Sequence, residues 1–539
     1  MRYRLTGFFR FVLTVVLWIA SSSMLSWKVA ANPLAHFDVR YTQTESSTQT
    51  ESSTQQLQSS TRYIQPSTQQ TTSFTQAQSD AKTPIRSHHY QVNINPQLTK
   101  AEVKVCFEGK APKYLAVDYR KATKKLIKFP SADKGHIEFQ GRYWKTERLG
   151  KNACIDYVSD ISGHLRKANK GLPKATKLSF QSDNTWLWLP ETIREDERTV
   201  VHFNLPPKIK VSTPWQSLND DGTSFEVGGT PHDWGFTLMI GEFDLVQTRL
   251  NQGGQLNIAI LKHLKKKQAL VSWVKNTAET LGGYLGRYPV EQTQIILIEN
   301  ERYKKGPVPW GDVNRGGGFG IRFVVDSNKP IAAFYEDWTA THEFSHILIP
   351  KVNYRDIWMS EGLASYLQYL LMARAGHLTE QQAWQRLYEG LERGVKGAKS
   401  NWDESLSETV ENRERGGWGR SGRIMRIYWS GAAYFLIADW QLRMRSDNQQ
   451  GLSDVLLKFN QCCAGSSQEW DGIDFADKLD ELSQTRIFSR LYREVANGKK
   501  FPDYLRAFDS LGIQVENQKI RLESGEKAKL RLSILNQHP

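Results

Sequence analysis

The chain has 539 residues, 39% of them hydrophobic and 24% charged, with a formal net charge of +14. Such length and apolar content exclude a chain disordered throughout and a small disulfide-stapled scaffold, and they allow more than one domain with a sizeable core. The charge is uneven: residues 86–180 hold 20 Lys and Arg against 8 Asp and Glu, a balance of +12, and with no binding motif beside it this basicity does not point to nucleic acid.

In chain order, residues 1–31 read as an export signal, with Arg2, Arg4 and Arg10 ahead of the apolar run Phe11 to Ala20 and small residues at Val29, Ala30 and Ala31. An uncleaved signal anchor is the alternative, because the apolar stretch extends through Leu25 and Trp27. No lipobox cysteine follows. Both readings place the mature chain outside the cytoplasm, periplasmic or otherwise extracytoplasmic, either released or tethered. Residues 32–85 are dominated by Gln, Ser and Thr with a near-repeat of TQTESS, and read as a disordered linker without enough apolar residues to offset ordering entropy.

Over residues 86–250 the pattern changes to short alternating runs, such as Tyr90 to Asn95 and Arg198 to Pro206, which predict a β-rich domain. Its basic charge suits contact with an anionic membrane or cell-envelope surface; a solvated lysine-rich surface is the plainer alternative. Cys106 and Cys154 share this domain and are candidates to pair, whereas the adjacent Cys462 and Cys463 are hard to bridge to each other.

From residue 251 to 460 helical spacing dominates. A helix is expected over 268–288 and strands over 292–299 and 318–325, followed by one buried helix from Ile331 to Ile349 that stops at Pro350. A second helix is expected with Ser360 as N-cap, Leu363, Leu367, Leu370 and Leu371 on its apolar face, and Gly376 at its end. Further helices are expected over 379–393 and 424–445. Residues 461–539 read as largely helical to Phe508, ending in a short basic, strand-prone tail.

The chemistry-bearing pattern lies on the two central helices. His342, Glu343 and His346 form H-E-x-x-H, and Glu361 follows after fourteen intervening residues in W-M-S-E-G. On a helix, residues four apart share a face, so both imidazoles can address one metal ion. Glu361 supplies a third ligand and leaves one position open for water, the pattern of a catalytic zinc site with one Zn2+ per chain. Ser365 is placed to orient a ligand imidazole. An Arg-rich stretch with Arg413, Arg415, Arg420, Arg423 and Arg426 can bind carboxylates, and Arg423 is a candidate substrate contact.

At these residues the chain resembles the gluzincin metallopeptidases, in particular the membrane alanyl and glycyl aminopeptidase families. The carrying residues are Trp358, Glu361, Gly362 and Tyr366 in I-W-M-S-E-G-L-A-S-Y, and the segment from Arg426 to Arg443. The resemblance implies an α+β architecture: a β-rich N-terminal domain followed by a thermolysin-like, mostly helical zinc peptidase domain. It also implies that Tyr428 donates a hydrogen bond to the tetrahedral intermediate. Two departures stand out. The gap between His346 and Glu361 is shorter than in the alanyl type, and the G-x-M-E-N strand that grips a free amino terminus there corresponds here to a glycine-rich stretch without the glutamate. In that stretch Gly317, Gly318, Phe319 and Gly320 are candidates for holding a peptide backbone.

The expected mechanism has zinc lowering the pKa of a water and polarising the scissile carbonyl, with Glu343 moving the proton from the water to the leaving amine. The leading expectation is an exported zinc-dependent peptidase acting on peptide substrates, an aminopeptidase in the first instance. The alternatives are an endopeptidase of the same fold and a non-catalytic scaffold that binds peptide or envelope polymers. No feature of the sequence assigns an oligomeric state.

Overall fold

The computed structural model describes residues 86–117, 122–163, 179–183, 185–299, 306–414, 422–464 and 468–535. The export segment, the Gln/Ser/Thr-rich linker, Arg415 and Arg420 lie outside the described residues. Among the described residues no helix is long and apolar enough to cross a membrane.

The N-terminal region is built on a seven-stranded sheet. Its centre pairs Arg86–Ile94 in parallel with Glu197–Asn204 and antiparallel with Lys100–Glu108, and Leu126–Ala132 forms one edge. Alternation sets its faces: Tyr90, Val92 and Ile94 are buried while Gln91 and Asn93 are exposed. The core is aromatic, with Trp144 stacked on Trp188 at 4.2 Å and Tyr157 edge-on to both. Cys106 and Cys154 face each other on neighbouring strands and are disulfide-bonded. Cys462 and Cys463 are also bonded, to each other, contrary to the expectation from their adjacency.

The second region opens on a five-stranded sheet in the order Phe243–Arg249, Gln255–Leu261, Gln292–Glu299, Phe319–Val325, Trp310–Asn314. The three middle strands run parallel, and the helix Lys267–Leu285 connects the first two of them. Because Phe243–Arg249 pairs along its length with Gln255–Leu261, this sheet starts at Phe243, ahead of the expected boundary at residue 250. Trp273 of the helix packs on Phe323 of the sheet and Phe334 beyond it. Helices then follow to Ser510, after which the chain ends in a hairpin, Ile513–Glu516 with Lys519–Leu522, and a helix, Glu526–Leu535, where a strand-prone tail was expected. The architecture is α+β, a β-rich N-terminal region ahead of a mostly helical one.

A glycine-rich loop joins the two regions. A Cβ at Gly318 would meet the Pro214 carbonyl oxygen at 2.0 Å and one at Gly317 would meet Val227 Cγ1 at 2.4 Å. The indole N–H of Trp215 donates to the Gly316 carbonyl at 3.0 Å, and Gly228 N–H donates to that of Gly317 at 3.0 Å. Only residues without side chains allow two backbones to approach this closely.

Candidate active site

The expected single helix from 331 to 349 is broken. Ile331–Glu336 ends at Asp337, which takes an extended conformation, and a new helix runs Thr339–Ser345 with one tighter turn from His346 to Leu348. The Asp337 carboxylate accepts from Thr339 N–H at 2.8 Å and so satisfies an orphan donor of the new helix. At the other end the half-buried Arg315 guanidinium donates to the His346 carbonyl at 2.6 Å and the Ile349 carbonyl at 2.8 Å, closing two acceptors left over at the helix terminus.

His342 and His346 share the inner face, their ring centroids 5.0 Å apart. Glu361 meets them from the helix Ile357–Arg374, its Oε2 lying 3.3 Å from His342 Nε2 and 3.8 Å from His346 Nε2. That helix begins three residues before Ser360, so Ser360 lies within its first turn instead of capping it. Its hydroxyl stands 3.0 Å from His346 Nδ1, and the side-chain carbonyl of Gln368 stands 2.9 Å from His342 Nδ1. Both imidazoles are therefore held through Nδ1 and present Nε2 to the same point. Ser365 is buried, but Gln368 and Ser360 make these contacts in its place. Gln368 lies two helical turns from Glu361 on the same face, a spacing that marks it in retrospect.

The donor set suits a metal ion. One ligand atom from each of His342, His346 and Glu361 lies within 4.8 Å of the others, two nitrogens and a carboxylate oxygen, as borderline-soft zinc prefers. Burial, aided by His342 and Arg315, pushes His346 down to about 3, which leaves a neutral ligand at neutral pH. Burial opposes protonation of His342 too, but the Glu361 and Glu343 carboxylates outweigh it and hold its pKa above the ordinary value. Without a cation beside it, Glu343 is driven up to about 8, first by burial and then by Glu361 and Asp312, against the opposing effect of His342, and a cation held by the cluster would bring it back toward the ionised form that a base needs.

Tyr428 comes from the helix Arg423–Arg445. Its ring is stacked over His342 at 6.0 Å, and its hydroxyl lies near enough to the Glu361 carboxylate to feel its charge. Burial and the Glu361 carboxylate raise its pKa well above the usual phenol value, so it remains a hydrogen-bond donor. The approach of the two helices rests on a glycine pair. A Cβ at Gly362 would meet Gly431 Cα at 2.3 Å, and one at Gly431 would meet the Trp358 carbonyl oxygen at 1.9 Å.

Glu343 faces the edge strand Trp310–Asn314, where a Cβ at Gly311 would lie 2.7 Å from Glu343 Cγ. The outer edge of this strand has no strand partner among the described residues. It stands next to the metal cluster, a position expected from sequence for Gly317, Gly318, Phe319 and Gly320. Gly317 and Gly318 instead pack against the N-terminal region, and Phe319 and Gly320 begin the adjacent inner strand, where Phe319 pairs with Thr293 and Gly320 is paired on both sides. Arg423 is committed elsewhere: it is buried in an ion pair with Glu404, its Nε 3.1 Å from Oε2. Arg426 donates to the carbonyls of Asn401, Gly498 and Lys499. Among the described arginines of this cluster, Arg413 is the one whose charge acts on Tyr428, lowering its pKa.

Fold and site together define a mixed α and β scaffold that presents a two-histidine, one-glutamate cluster beside an open strand edge. Among solved structures the chain is similar to the crystal structure of an aminopeptidase N family protein from Idiomarina loihiensis, with a TM-score of 0.58 over 82% of each chain and 14% sequence identity. No protein-family model matches the chain, and no curated protein does.

The Nδ1 contacts carry a prediction. Gln368→Leu removes the acceptor that fixes the His342 ring, and is expected to weaken zinc affinity by about 10–100-fold, the usual consequence of losing such a partner. Competition with a fluorescent chelator measures this, and unchanged affinity would show that Gln368 is mere packing.

Proposed function

We propose that this chain is a zinc-dependent peptidase, a reading carried by the convergence of His342, His346 and Glu361 with Glu343 and the free strand edge in one place. The two histidines and Glu361 would hold the ion. When bound, zinc supplies an acidified water and a Lewis acid for the scissile carbonyl. Glu343 accepts the proton of the attacking water and delivers it to the departing amine. The Tyr428 hydroxyl donates a hydrogen bond to the oxygen on which negative charge develops. The backbone N–H and C=O groups on the outer edge of Trp310–Asn314 hold the substrate extended, as an added strand.

Cleavage at free amino termini is the first reading, in keeping with the aminopeptidase N family fold. One observation favours internal cleavage instead. Alternation along the edge strand turns Gly311 and Val313 to the Glu343 side, while Asp312 is held by Arg322 through contacts of 2.9 and 3.0 Å. No carboxylate of this strand is thus presented to grip an α-amino group. The test is zinc analysis with cleavage of matched peptides, free or acetylated at the amino terminus. Preference for free peptides supports the aminopeptidase and equal cleavage the endopeptidase. Stoichiometric zinc without cleavage of any peptide would replace both with a binding scaffold.

We also propose an extracytoplasmic protein whose N-terminal region contacts an anionic bilayer. In support, the edge strand Leu126–Ala132 exposes Ile127 (51%) and Phe129 (59%), the strand Glu138–Gln140 of a second sheet exposes Phe139 (45%), and Lys124, Lys125 and Lys128 lie beside the first two. The rings of Phe129 and Phe139 touch at 5.8 Å. Exposed aromatic and aliphatic tips among lysines suit insertion at a charged headgroup layer. In vesicle flotation the full chain should bind phosphatidylglycerol-containing vesicles over neutral ones, and Phe129→Ser with Lys128→Glu should reduce that preference severalfold. An unchanged preference in the double variant would remove this surface from the account.

A further inference from the structure

The helices that carry Glu361 and Tyr428 have a second meeting place. Arg374 and Arg443 lie 13 and 15 residues further along the same two helices, roughly 20 Å away at the helical rise. There they border a pocket of about 200 Å³ together with Tyr284, Ser453, Asp454 and Ser533. It is smaller than the pockets that take drug-sized ligands, so its occupant is a small molecule.

Its polar groups are unevenly satisfied. Tyr284 is 7% exposed, yet its buried hydroxyl has no hydrogen-bond partner among the described residues, which is costly for a phenol unless a ligand or water completes it. Arg374 donates to the carbonyls of Leu535 and Gly283, and Arg443 donates to Asp439, Asn448 and Ser533. Each guanidinium keeps N–H groups beyond these bonds. One oxygen of Asp454 accepts from Gly451 N–H at 2.7 Å, and the other remains for a cation. The wall between the charges is aliphatic, from Leu285, Leu457 and Ile534. With Arg443 neutralised by its ion pair to Asp439, the Arg374 guanidinium and the Tyr284 hydroxyl stand across from the Asp454 carboxylate, and with the apolar wall they match a molecule that carries an anion, a cation and a short hydrocarbon.

We propose that this pocket binds a small aliphatic α-amino acid, its carboxylate toward Arg374 and the Tyr284 hydroxyl and its ammonium toward Asp454. Resting on the peptidase reading, such a ligand is a hydrolysis product, held at a site separate from the one that releases it. The pocket also touches the scaffold of the active site. Asp439 accepts from Arg443 and from the hydroxyl of Tyr366, which lies five residues after Glu361 on the same helix.

Isothermal titration of the full chain with L-leucine, isoamylamine, acetate and inorganic phosphate tests this. Leucine is expected to bind more tightly than the two fragments or phosphate. Tyr284→Phe, which keeps the ring packing, and Arg374→Gln are each expected to weaken leucine binding by about tenfold, the usual loss for a hydrogen bond to a charged group. His346→Ala should leave it unchanged. Absence of leucine binding, equal binding in Tyr284→Phe, phosphate binding in preference to leucine, or loss of binding in His346→Ala would each overturn the proposal. The titration needs neither zinc nor turnover, so a failed peptidase assay would leave its result standing.

Discussion

Glu343→Gln is expected to retain zinc at the wild-type stoichiometry while lowering kcat by about 10²–10⁴-fold, the range supplied by a positioned general base. The reason is geometric. The ligand atoms belong to His342, His346 and Glu361, and Glu343 stands beside them facing the edge strand. Glutamine fills the same volume against Gly311 but cannot accept the proton of a water. His346→Ala removes a ligand instead and should lose zinc and activity together. Metal analysis and single-turnover kinetics on the two variants separate the roles. Turnover within a few-fold of wild type in Glu343→Gln would mean that another group is the base.

The second large effect is expected at a glycine that lends the site no side chain. Gly431→Ala places a methyl where the Trp358 carbonyl oxygen already stands, 1.9 Å from the new carbon, with backbone on both sides and no flexible side chain to yield. The helices Ile357–Arg374 and Arg423–Arg445 must then separate, carrying Tyr428 away from Glu361. A misplacement of about 1 Å is enough to cost on the order of 10²-fold in rate. Overpacking of this kind also destabilises by about 1–3 kcal/mol. Thermal unfolding and kcat should therefore fall together, whereas Tyr428→Phe should lower kcat with little change in stability or zinc content. Wild-type kcat in Gly431→Ala would mean that the crossing adjusts without moving the site.

Comparison of these variants with the sequence shows why some residues were legible and others were not. The metal ligands depend on i, i+4 spacing and on a helix start that carries Glu361, both local patterns. The strands Gln292–Glu299 and Phe319–Val325 and the helices around Glu361 and Tyr428 were legible for the same reason, since their apolar periods extend over several turns or pleats. The break at Asp337 was hidden because the apolar period runs on through it, and only the backbone conformation at that residue interrupts the helix. The glycine-rich stretch misled for a related reason. Glycine signals close backbone approach without saying to what, and here the approaching chains are Pro214 and Gly228 of the N-terminal region, not a substrate. Arg423 reads as a free cation in sequence, whereas its partner Glu404 comes from a different helix connection.

By itself the sequence determined the donor set of this protein, two histidines and a glutamate with a further glutamate between the histidines, because those groups are related by helical geometry within a few turns. It also determined the succession of a β-rich region and a helical one, because alternation and helical period are properties of neighbouring residues. Only the tertiary structure decided which strand edge stands open beside Glu343, which side chains orient the imidazoles, and which arginines are already paired. It alone brought Arg374, Arg443 and Tyr284 around one pocket. Those are contacts between segments far apart in the chain, and no local pattern of residues encodes the partner across such a distance.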